Sequence, residues 1–171
     1  KAFQLEKLFP RCTRPPVVLD PDPWLVIFED GSKLAYGFSA YVRWRIGDSV
    51  FQSFLVLAKC RIAPLAQISI PRSELNGSLL GVRGRKCLQD ACRYRFSRII
   101  HLVDSETVLF QVTSTNKTFK MYEACRIGEI QATCEGDMRD WYWVPTDLNI
   151  ADVNTRGEMS RGTMTWICMA A

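Results

Sequence analysis

The stretch "WLVIFEDGSKLAYG", residues 24–37, decides how this chain folds. Its apolar residues Trp24 to Phe28 run straight into two acids, Glu29 and Asp30, before the chain turns at Gly31-Ser32. A strand that buries its side chains cannot carry ionised carboxylates into low dielectric unless a cation, a hydrogen-bond network or solvent compensates them. The reason for the two acids has to come from the rest of the chain.

Working outward, residues 34–46 and 50–61 are two further apolar, β-branched and aromatic runs, joined by "GDS", whose Gly47-Asp48 suits a tight hairpin turn. With residues 24–30 they predict three antiparallel strands. From Pro71 the period changes: "PRSELNGSLLGVRGRKCLQDAC" places Leu75, Leu79 and Val82 on one helical stripe, with Pro71 and Glu74 in the first turn. Gly77, Gly81 and Gly84 lower helix propensity, which predicts close approach to a sheet or a ligand. "SRIIHLVD", residues 97–104, is apolar enough to be a central strand covered on both faces. "SETVLFQVT" and "FKMYEACRIGEIQATC" read as helices, "DWYWVP" as a last strand and "IADVNTRG" as the start of a final helix. The predicted fold class is therefore α/β, a mixed sheet flanked by helices.

Composition bounds the rest. A chain of 171 residues, 47% hydrophobic, supports one buried core. Residues 1–23, with five prolines, read as an extended lead-in from a preceding domain, residues 24–160 as the domain and residues 161–171 as a tail. A net charge of +4 permits a polyanionic partner. Seven cysteines without a CxxC pair, beside one histidine, argue against a disulfide scaffold and a structural zinc site. No apolar run is long enough to cross a bilayer, so the expectation is an intracellular protein of the cytoplasm or of a virus-like particle. The chain opens on Lys1 rather than Met, as a piece of a longer polypeptide would.

The acids can now be placed. Asp30 ends the first strand, Glu74 opens the first long helix, Asp104 follows the central strand and Asp152 opens the last helix. Each has a plainer explanation: Asp104 before Ser105-Glu106-Thr107 could cap a helix, as could Asp152, and Glu74 could complement a helix dipole. Asp30 caps no helix. All four fall on the edge where open α/β sheets gather ligand sites. Carboxylates without histidine or cysteine are hard ligands suited to Mg²⁺ or Mn²⁺, and two such ions can drive phosphodiester hydrolysis. His101, three residues before Asp104, points to the opposite face by strand alternation and reads as a core histidine.

As a set, "VIFEDGSKLAYGFSAYVRW", "AKCRIAPLAQISIPRSELNG", "HLVDSETVL", "RIGEIQ" and "WYWVPTDLNIADVNTRG" resemble the ribonuclease H domain of BEL/Pao-type long-terminal-repeat retrotransposons, over about residues 6–157. The resemblance implies a ribonuclease H-like fold with a five-stranded mixed sheet, and a metal-dependent endonuclease that cuts the RNA strand of RNA/DNA hybrids. It implies that Asp30, Glu74, Asp104 and Asp152 hold two Mg²⁺ ions, with Mn²⁺ as a substitute, and that the domain is linked to a reverse transcriptase in a polyprotein. Two departures stand out: "VPTDLNIAD" lacks the histidine many such enzymes carry before the last aspartate, and Glu29 replaces a usual Ser or Thr. Glu29 should face away from Asp30. The tail "EMSRGTMTWICMAA" also departs from the family's usual continuation.

Candidate substrate contacts are the basic run Arg72, Arg83, Arg85, Lys86, Arg93 and Arg95, through phosphates, and Gly31, Ser32 and Ser105 beside the acids. The alternative for the basic run is a solvated helix face. Trp141-Tyr142-Trp143 could stack on bases but is expected to pack in the core. The competing function is an inactive nucleic-acid-binding or structural relic of this fold. DNA-cutting integrases share a related sheet, but a glutamate on the helix directly after the third strand speaks against them.

Overall fold

A computed structural model describes residues 12–64 and 68–156. The strands are β1 (Trp24–Gly31), β2 (Ala35–Gly47), β3 (Val50–Ile62), β4 (Arg98–Val103) and β5 (Trp141–Trp143), and the helices are α1 (Ile70–Ala91), α2 (Glu106–Thr113), α3 (Met121–Thr133) and α4 (Asp152–Arg156). They form one five-stranded sheet in the order β3-β2-β1-β4-β5. β1 pairs antiparallel with β2 and β2 with β3, while β4 runs parallel to both β1 and β5. The predicted α/β mixed sheet with three antiparallel strands is what the chain adopts.

Period-two alternation sorts β1 between two faces. Leu25 and Ile27 pack with Phe38, Trp44, Leu80 and Leu88 beneath α1, and a second cluster joins Leu75, Leu79 and Val82 of α1 to Val103, Val108, Ile127, Ile130 and Trp141. The predicted stripe of α1 is thus the face it buries. Gly77, Gly81 and Gly84 lie on that face against the Asp30 carbonyl, the Glu29 carboxyl and the Phe38 ring, so the helix sits closer to the sheet than any side chain would allow.

Local expectations shift in four places. The β2–β3 hairpin turns on Asp48-Ser49, with Ser49 at φ 60°, and Gly47 is paired with Val50 as the last strand residue. α1 starts at Ile70, so Glu74 is its fifth residue and sits beyond the first turn, where a dipole effect is weak. The cap of α2 is Ser105, whose hydroxyl accepts from the Val108 amide at 3.4 Å, so capping does not explain Asp104. β4 is interior but β1 holds the centre, and Ile100 and Leu102 on its outer face are only half-buried.

The described part of the proline-rich lead-in is docked on the sheet: the Leu19 amide donates to the Arg45 carbonyl at 2.8 Å and the Ser97 hydroxyl to the Asp22 carbonyl at 2.9 Å. The tail at residues 161–171 lies outside the described residues. Among the described residues no helix is long and apolar enough to cross a membrane.

Candidate active site

Asp30 and Asp104 stand side by side because β1 and β4 are parallel: Glu29 pairs with Val103, and each aspartate is the next residue. The start of α1 is pressed against the end of β1 at Gly31, where a Cβ would collide with the Ser73 carbonyl carbon and the Glu74 amide. Only glycine permits that contact, and it brings Glu74 to the two aspartates. α4 docks on the opposite face of the sheet, where the Thr155 hydroxyl donates to Asp30 Oδ2 and the Asn154 amide donates to Ser39 Oγ at 2.7 Å. Asp152 opens that helix.

Three of the four acids share one crevice, lined by Glu29, Asp30, Glu74, Ser78, Val103, Asp104, Ser105 and Val108. Burial pushes the Glu74 carboxyl above its ordinary range, with the charges of Asp104 and Asp30 adding to the rise and the Ser105 hydroxyl, 2.6 Å from Oε2, opposing it. Asp104 is raised by burial first and by Asp30 second, against hydrogen bonds from Asn149 and Thr146. Among the described residues, none of Asp30, Glu74 and Asp104 has an ion-pair partner. Mutually repelling oxygen donors without a cation are the donor chemistry a hard divalent ion matches. Among the described residues, however, no three acids, histidines or cysteines already close on one point as a cage. Asp152 lies outside the crevice lining and connects to it through Thr155 and Asn149.

Glu29 answers the other half of the opening question. It faces α1, away from Asp30, and its Oε1 lies 2.7 Å from Nδ1 of His101, the two side chains 0% and 1% exposed. The Trp141 ring stacks on His101 at 4.4 Å between centroids, 5° from parallel. Burial raises the Glu29 carboxyl well above its ordinary range and lowers His101 to about 3, so the surroundings favour the neutral form of each partner. Glu29 is thus engaged with His101 beneath α1 rather than with the acids, and His101 is the core histidine that strand alternation predicts.

None of the basic run lines the crevice: Arg72, Arg83, Arg85 and Lys86 lie along α1, and Arg93 and Arg95 follow its end. Arg72 pairs with Glu123 at 2.8 Å, Arg83 with Glu129 through bonds of 2.7 and 2.9 Å, and Arg85 donates to the buried Cys134 Sγ at 3.2 Å, all three tying α1 to α3. Lys86 is exposed. Ser32 builds the β1–β2 turn, accepting from Leu34 and Ala35 and donating to the Thr155 carbonyl at 2.9 Å. Of the aromatic run only Trp141 is core; Tyr142 and Trp143 are 40% and 45% exposed, because β5 is the sheet edge, and the Trp143 indole donates to the Asp104 carbonyl at 2.9 Å. Sequence reasoning missed Asn149 and Thr155, the buried polar residues that join the last connection to the acids.

A family model described as "Pao retrotransposon-like RNaseH-like domain" matches residues 7–105. That match includes Asp30, Glu74 and Asp104 and stops short of Asp152. Among solved structures, the N-terminal RNase H domain of rv2228c from Mycobacterium tuberculosis, a fusion with maltose binding protein, is similar at 18% identity, covering 87% of this chain and 99% of that one with a TM-score of 0.55. LC11-RNase H1, isolated from compost by a metagenomic approach, is similar at 11% identity, with 78% and 91% covered and a TM-score of 0.50. No curated protein sequence matches.

Proposed function

The chain belongs to the Pao retrotransposon-like RNaseH-like domain family, and from that premise we propose that it is a divalent-metal-dependent endonuclease hydrolysing the RNA strand of RNA/DNA hybrids during retrotransposon reverse transcription. The observation that carries this reading is the gathering of Asp30, Glu74 and Asp104 in one crevice, where the latter two are pushed up by burial and by neighbouring carboxylates. Asp30, Glu74 and Asp104, with Asp152 from α4, would hold Mg²⁺ or Mn²⁺. Such an ion, when bound, supplies the Lewis acidity that activates water and stabilises the leaving oxygen of a phosphodiester.

The protein's own residues prepare the site. Ser105 orients Glu74 and Thr155 orients Asp30, each by donating a hydroxyl proton to the carboxylate. The half-buried crevice strengthens electrostatics inside it. Lys86 offers a phosphate contact outside the crevice, and Arg72 and Arg83 can do so only by leaving Glu123 and Glu129. Gly31, Ser32 and Ser105 flank the position of the RNA strand. A reverse transcriptase domain in the same polyprotein is the natural supplier of the hybrid.

A second reading, an inactive relic that binds nucleic acid, is favoured by one observation: no three acids among the described residues form a closed cage. Incubation with Mg²⁺ or Mn²⁺ and RNA labelled in a hybrid, in an RNA duplex and as a single strand separates the two. The enzyme cuts only the hybrid; the relic binds the hybrid and leaves it intact.

A further inference from the structure

The connection from β5 to α4 carries Asn149, a side chain 3% exposed that no part of the proposed chemistry uses. Its Nδ2 donates to the Glu29 carbonyl at 2.9 Å, its Oδ1 accepts from the Ala151 amide at 3.2 Å, and the Asp104 carboxylate accepts a hydrogen bond from the same side chain. One amide therefore touches the residue before Asp30, the residue before Asp152 and Asp104 itself. The bond to Ala151 would suffice to close the local turn. The other two are long-range and end where β1 and β4 deliver their acids, and 120 residues of sequence separate Asn149 from Glu29.

We propose that Asn149 is a positioning residue that fixes the spacing of Asp30, Asp104 and Asp152, and so governs cation affinity and turnover without touching substrate. The inference rests on the carboxylates being a cation site, as argued above. An outer residue of this kind typically changes metal affinity or activity about 10- to 100-fold when removed.

The test uses the whole chain as wild type, Asn149→Ala and the near-isosteric Asn149→Asp, which loses the donor. Mn²⁺ binding is measured by calorimetry, hybrid cleavage by steady-state kinetics and folding by thermal denaturation. Expected is Mn²⁺ binding weakened about 10- to 100-fold, with a kcat loss of similar size and KM for the hybrid within about threefold of wild type. Folded variants that match wild type in Mn²⁺ affinity and kcat, or that lose activity only through KM, overturn the proposal. If Asn149→Ala does not fold, Asn149→Asp decides; if neither folds, the residue is scaffold and the proposal falls. A wild type that binds Mn²⁺ without cutting the hybrid sinks the cleavage reading alone, and Asn149 is then judged by Mn²⁺ affinity. A wild type that binds no Mn²⁺ overturns both.

Discussion

Ser105 serves two elements with one hydroxyl, capping α2 and donating to Glu74. The donated bond favours the charged carboxylate, so Ser105→Ala should raise the Glu74 pKa further. Cation binding needs the charged form; the acid limb of the cleavage pH profile should therefore lie above the ordinary carboxylate range in wild type and move to higher pH in the variant. An unmoved limb would detach Glu74 from the chemistry. His101 is the complementary case, because it stabilises rather than reacts: His101→Leu leaves the Glu29 carboxyl buried without its partner and should cost about 3 kcal/mol in urea unfolding. At this scale the sequence was legible where alternation governs: it placed Asp30 and Glu29 on opposite faces and His101 in the core. Asn149 and Thr155 were illegible because their partners lie 120 and 125 residues away, across a contact that no local pattern encodes.

Among the elements, α1 shows why a helix that breaks propensity rules can be the right one. Glycine in a helix interior costs about 1 kcal/mol relative to alanine, so Gly→Ala ordinarily stabilises. Gly77 faces the Asp30 carbonyl, backbone that cannot yield, so Gly77→Ala should instead destabilise by about 2 kcal/mol and weaken Mn²⁺ binding as β1 is displaced. Gly128 on α3 has open space where a Cβ would lie, so Gly128→Ala should stabilise by about 1 kcal/mol. Thermal denaturation of the two variants, in opposite directions, checks the account. The periodicity of Leu75, Leu79 and Val82 revealed this helix, and its glycines pointed to close approach. The fate of Arg72, Arg83 and Arg85 was hidden, because charge along a helix does not disclose that α3 supplies Glu123 and Glu129 opposite two of them.

For the whole molecule, the sheet order follows from the chain's own economy of connection: two hairpins give β1-β2-β3, and crossovers through helices return β4 and β5 parallel on the other side of β1. That topology is what sets Asp30 and Asp104 at adjacent strand ends and lets α1 bring Glu74 between the layers. α4 completes the arrangement from the opposite face. Its docking was the least readable part of the fold, since a short polar segment held by Ser32, Ser39 and Asp30 leaves no apolar stripe in the sequence. The central claim is that the acids ending β1 and β4 are the chemistry of this domain. Its most direct test is Mg²⁺-dependent cleavage of hybrid labelled on the RNA strand by wild type, Asp30→Asn and Asp104→Asn, each verified as folded. The account predicts cutting by wild type and loss of at least about 100-fold in both variants; folded variants that cut as fast as wild type would contradict it.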